Sequence, residues 1–185
     1  MRKICVVLMA VGSLVLAARA QDTTNAPRTE IELFETQTGT VIVKGIGPVG
    51  SMNIGAGIVS VRSKETADIG TGRKLYGLVI EFAGGNQPRE RAVIDYDELD
   101  SLLNGIDYLG KISYDVTTLP GFEAGYATRS GVRIVAYSSR RQGGIQTFLQ
   151  FGDNPRIPLA SDQMTQLHGL ISQAKNSLDA LKAAK

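Results

Sequence analysis

The chain of 185 residues has no tryptophan, one histidine and one cysteine. Each scarcity excludes something. Cys5 lies inside an N-terminal stretch that reads as an export signal: Arg2 and Lys3, the apolar run Ile4–Leu16, then Ala18-Arg19-Ala20 in the small-residue pattern of a cleavage site. Cleavage there leaves a chain with no disulfide, no thiol chemistry, no thiolate-held metal and no cysteine to take lipid. A single imidazole, His168, is too few for a His-rich metal site. Aromatics make up 6% of the residues, which argues against a sugar-binding surface built on ring stacking. Long apolar runs are also missing. The leader's run of 13 residues falls short of the roughly 20 that span a bilayer, and no longer one follows. Charge of either sign is not in excess. Without Arg2, Lys3 and Arg19 the chain keeps 17 basic and 18 acidic residues, a net charge of −1.

What the chain does have is glycine. Twenty of its 21 glycines follow the leader, and nineteen of those lie between Gly39 and Gly152. Glycine marks turns and bulges, so this distribution predicts many short strands followed by a glycine-poor helical end. The residues after the leader suit one domain, large enough to be held by its core alone. The expected organisation is a signal peptide over 1–20, a polar tether over 21–38 and a single α+β domain over 39–182.

Alternating or β-branched runs predict strands at Thr40–Lys44, Ile54–Arg62, Leu75–Phe82 and Arg91–Ile94. Asp95–Leu109 then turns helical, with Leu99, Leu102, Leu103, Ile106 and Leu109 on one stripe. Further strands are expected at Ile112–Val116, Phe122–Thr128, Val132–Ser138 and Ile145–Phe151. A last helix runs from Asp162 to Leu181, striped by Met164, Leu167, Ile171, Ala174, Leu178 and Leu181. An internal echo organises these elements. VIEFAGGNQPR from Val79 resembles FLQFGDNPR from Phe148. At a constant offset of 65, Ile94 then matches Leu159, Leu99 matches Met164, Leu102 matches Leu167 and Ile106 matches Ile171. The expected fold is therefore two related halves, 39–110 and 111–182, each about four antiparallel strands followed by one amphipathic helix.

That element order resembles the tandem sheet-plus-helix topology of PUR and Whirly-type single-stranded nucleic-acid binders, with no shared motif. Through TVIVKG at Thr40, SVRSKE at Ser60, TGRKLYG at Thr71, IDYDELDSLL at Ile94 and GIDYLGK at Gly105, the chain also resembles a group of bacterial exported proteins with no assigned activity. This second resemblance implies export and brings no catalytic residues with it.

Four features compete for function. Gly45-Ile-Gly47-Pro-Val-Gly50 fits the dinucleotide fingerprint, but that motif works by opening a helix whose free N–H groups hold pyrophosphate. Here a strand-like, glycine-broken segment follows, so a hairpin or bulge is preferred and no cofactor is expected. Asp95, Asp97, Glu98, Asp100 and Asp107 concentrate negative charge. Helix capping is the preferred role, ahead of a calcium site or catalytic carboxylates. His168, matching Leu103 in the other half, reads as a packed helix flank rather than a general base. Arg129, Arg133, Arg140, Arg141 and Arg156, with Tyr126 and Tyr137, could grip phosphates and stack bases. The balanced net charge opposes nucleic acid as a partner. A solvated loop is the preferred role, ahead of docking onto an acidic surface, for which the cluster Asp95, Asp97, Glu98 and Asp100 is the obvious candidate, within one chain or between two.

No nucleophile elbow or legible triad is present. The reading that follows is an exported, non-enzymatic binding or protein-interaction module of unknown partner, periplasmic or extracellular, for which a homodimer fits the apolar stripes and sheet edges. One alternative is a carrier of a small apolar ligand in a cleft between sheets and helices. Another is a hydrolase using the acidic helix start with His168. No catalytic, cofactor or metal residues, no nucleic-acid partner and no membrane span are expected.

Overall fold

A computed structural model describes residues 26–55, 57–85, 89–138, 143–154 and 156–184. The signal segment and the Arg140-Arg141 hairpin tip lie outside the described residues. Helix α1 (Glu30–Glu35) is followed by strands β1 (Ile42–Ile54), β2 (Gly57–Asp68), β3 (Lys74–Gly84) and β4 (Glu90–Asp95). A single 3-10 turn (Tyr96–Glu98) leads into α2 (Leu99–Gly110). The second half contains β5 (Glu123–Ala127), β6 (Val132–Ser138), β7 (Ile145–Phe151), β8 (Ile157–Leu159) and α3 (Ser161–Ala183). Each set of four strands forms an antiparallel meander in chain order, β1-β2-β3-β4 and β5-β6-β7-β8. The α+β class and its two halves are as the sequence predicts.

Three expectations are corrected. The polar tether is interrupted by α1. Its N-cap, Thr29, accepts from the Glu32 amide at 3.1 Å, and the Glu32 carboxylate reaches back to the Thr29 amide at 3.2 Å. This reciprocal box stabilises even a short helix, and Ile31 and Phe34 on its inner side are buried. The strand expected at Ile112–Val116 is instead a 3-10 turn at Tyr114–Val116, because the Ser113 hydroxyl accepts from the Asp115 amide and curls the backbone. The fourth strand of that half is β8, which pairs with β7 through Leu149↔Ile157 and Thr147↔Leu159. Finally, of the hairpin and the bulge expected at Gly45–Gly50, the bulge is found, within one strand rather than between two. It lies inside β1, and the register with β2 slips between Pro48 and Gly50, a β-bulge. Gly50 lets α3 approach closely there: a Cβ would stand 2.6 Å from the Leu170 side-chain tip, which would have to move.

The helices are exchanged between the halves. The α2 helix packs on β5 and β6 of the second sheet, α3 packs across β1, β2 and β3 of the first, and the two helices touch each other. Both stripes therefore feed one continuous core, with Val59, Leu78 and Ile80 of the first sheet and Ile134 and Leu149 of the second. At the α2–β5 contact Gly105 sits against Tyr126, whose ring lies 2.6 Å from where a Cβ would be. On the opposite face of the first sheet α1 seals a smaller cluster of Ile31, Val79 and Val93. Because each sheet borrows its cover, neither half buries its own apolar face. Residues 26–110 expressed alone are expected to show no cooperative thermal transition by circular dichroism. A cooperative transition in that fragment would mean that α2 can fold back onto its own sheet.

Candidate functional site

Asp95 ends β4 and was expected to open the next helix. Its carboxylate instead takes the free amides of α1, accepting from Glu30 at 2.7 Å and Ile31 at 3.1 Å. It is nearly fully buried. From the turn after β5, Arg129 meets the same cluster. Its guanidinium lies 3.3 Å from Asp95 and 3.3 Å from Glu98, and it donates to Asp97. The Arg129 amide also donates to Glu98 at 2.8 Å. Burial works against the charge of this guanidinium, but the Asp97 hydrogen bond and the charges of Glu98, Asp97 and Asp95 outweigh it and raise its pKa above the ordinary value. One arginine thus ties the second half to the acidic turn of the first, and through Asp95 to α1. The acidic surface and its basic partner meet within a single chain.

The other sequence-derived residues disperse. Asp100 faces Lys175 of α3 at 3.5 Å. Arg133 and Arg156 both turn to Glu123, at 3.9 and 2.9 Å. Arg140 and Arg141 lie outside the described residues. His168 is half-buried and its Nε2 stands 3.5 Å from Asp107. Asp107 lies ten residues beyond Asp97, about 15 Å along the helical rise, so the imidazole pairs near the end of α2 remote from the acidic turn. Lys175 and Lys182 lie over the Tyr96 ring, and the Tyr96 hydroxyl bonds to Asp179, fastening the end of α3 to the 3-10 turn. Among the described residues no group of three or more His, Cys, Asp or Glu could hold a metal ion. No helix of the described residues is long and apolar enough to cross a membrane.

The fold also forms a concavity that no local sequence motif marks. A cleft of about 680 Å³ opens between the C-terminal turn of α2, the first two turns of α3 and the β7–β8 pair. Its apolar wall comes from Ile106, Leu109, Ile112, Phe148, Leu159 and Met164. Polar groups are few: Asp107 with His168, Lys111, Gln146, Ser161 and Thr165. The α3 side of the mouth begins at Ala160, an N-cap with no side-chain acceptor. Short β8 leaves part of its neighbour's edge uncovered, since Ile145 and Gln146 of β7 pair only with β6. These residues come from three separated segments, so no local motif announces them. The one sequence signal is that Ile112, Ile145 and Phe148 are apolar at strand or loop positions outside both helix stripes.

The fold and this cleft define a class: an α+β domain of two antiparallel meanders with exchanged helices and a pocket at their junction. Compared with family models, curated proteins and solved structures, the chain matches none.

Proposed function

We propose that this is an exported, non-enzymatic binding protein whose site is the cleft at the α2–α3–β7 junction. The observation that carries the reading is the cleft itself. Its volume falls in the range of ligand pockets, and its wall combines an apolar floor with polar groups around it. The leader-like residues 1–20 support export. The cleft hydroxyl one turn from His168, that of Thr165, donates to the Ser161 carbonyl at 3.2 Å rather than to the imidazole, which favours binding over hydrolysis. Native mass spectrometry of the chain purified from an exporting host is expected to show a bound small molecule on each monomer. Bare monomers that take up no added ligand would overturn the reading.

One observation favours a second reading, a protein-contact surface at the free edge of β1. Val41, Val43 and Ile69 are each about half exposed or more, and they gather where β1 begins and β2 ends. Pro48 and the bulge interrupt that edge further along, which limits it as a pairing template. Masses at whole multiples of the chain would support this surface instead.

A further inference from the structure

We propose that the cleft selects small amphipathic anions, ligands with an apolar body and one carboxylate, and that Lys111 holds the carboxylate. This rests on the reading of the cleft as the binding site and names what it takes. Every other lysine of the described residues already has a partner. Lys44 and Lys64 pair with Glu35, Lys74 with Glu65, and Lys175 with Asp100 and Asp179, while Lys182 sits over the Tyr96 ring. Lys111 alone among them lines a cavity and has no anionic or aromatic partner. The one acid on the cleft wall, Asp107, faces His168. Lys111 is therefore the one charged side chain of the cleft with no partner among the described residues.

Geometry adds the second half of the specificity. Ile106, Leu159 and Met164 are almost fully buried and form an apolar floor, while Ile112 continues directly from Lys111. A ligand that fills the floor brings its polar end to the rim, where an ammonium on a flexible stem can follow it. The start of α3 lines the same cleft, and the positive end of its dipole adds to the potential for an anion. An uncharged ligand gains only the apolar contact, and a cation meets Lys111 as a like charge.

The test uses the Phe148→Trp variant, whose indole is the only one in the chain and lies on the cleft wall. Decanoate, decanol and decyltrimethylammonium are titrated against it by fluorescence. Decanoate is expected to bind about tenfold more tightly than decanol, the worth of one charge-assisted hydrogen bond, and the ammonium most weakly. Adding Lys111→Ala should erase the preference without weakening decanol, and Lys111→Arg should restore it. Equal binding of decanoate and decanol, unchanged by Lys111→Ala, would overturn the anion preference and leave the cleft as the site. No change in indole emission with any of the three would overturn both.

Discussion

Replacing Glu35 by alanine is expected to cost about 3 kcal/mol of stability, an effect far larger than a surface ion pair could produce. Glu35 ends α1 and points onto the outer face of the first sheet, where its carboxylate meets Lys64 at 2.6 Å, Lys44 at 2.8 Å and the Thr66 hydroxyl at 3.0 Å. Lys64 is 2% exposed, so its ammonium has almost no water to turn to once Glu35 is gone. The cost is that of a buried cation left without its counter-charge. The double variant Glu35→Leu with Lys64→Met removes both charges and should recover most of the loss. Urea denaturation midpoints of the three proteins check this. The pH dependence has a definite sign. Burial alone would raise the Glu35 pKa, but hydrogen bonds from Lys44 and Lys64, the charge of Lys64 and the Thr66 hydroxyl outweigh it and lower it below the ordinary carboxylate value. The contribution is therefore present above about pH 4.3, the unfolded value, and is lost as pH falls through the depressed folded pKa. The gap between the native chain and Glu35→Ala should close in that acid range. A gap that stays constant to lower pH would mean that the pair is not the source.

Gly77→Ala is expected to be comparably severe, at about 3 kcal/mol, although it adds one methyl group. Gly77 lies opposite Asp95 in the β3–β4 pair. A Cβ there would stand 2.3 Å from the Ile94 carbonyl oxygen and 2.5 Å from Ile31 of α1. The first neighbour is backbone and cannot swing away, so β4 must shift or α1 must lift. Either movement also disturbs Asp95, which caps α1 and meets Arg129. Gly169→Ala provides the contrast. Gly169 is exposed within α3 and has nothing within 4 Å of its Cβ position, so alanine should stabilise by about 0.5–1 kcal/mol through helix propensity. Thermal melts of the two variants are expected to move in opposite directions. A neutral Gly77→Ala would show that the β3–β4–α1 contact is far looser than its spacing.

The parts of this fold that were legible in sequence are those governed by local period. Alternation located most strands, and three-four spacing located α2 and α3, whose striped residues Leu102, Ile106, Leu167 and Ile171 are all buried. Elements that depend on few residues or on distant partners were not legible. With only Ile31 and Phe34 to bury, α1 has no measurable period, and Thr29 with Glu32 was its sole signal. The glycines and Pro48 within β1 read as a break because a bulge and a break use the same residues. The acidic turn reads as capping the helix it opens, but no side chain there does so, and the helix that Asp95 caps lies 64 residues earlier, a relation set by topology. Charge complementarity anticipated the meeting of Arg129 with that turn. Lys64 sits in an alternating strand among other polar residues, and nothing local distinguishes its burial. The cleft was beyond reach for the same reason: Lys111, Phe148 and Met164 become neighbours only after the helices are exchanged.

The exchange of helices also sets an order in time. The first sheet has all four strands by Asp95, yet the helix that covers its inner face begins only at Ser161. Until α3 docks, Val59, Val61, Leu78 and Ile80 have no permanent lid. The first sheet therefore closes late in folding, and loss of α3 would strand the first half rather than the second.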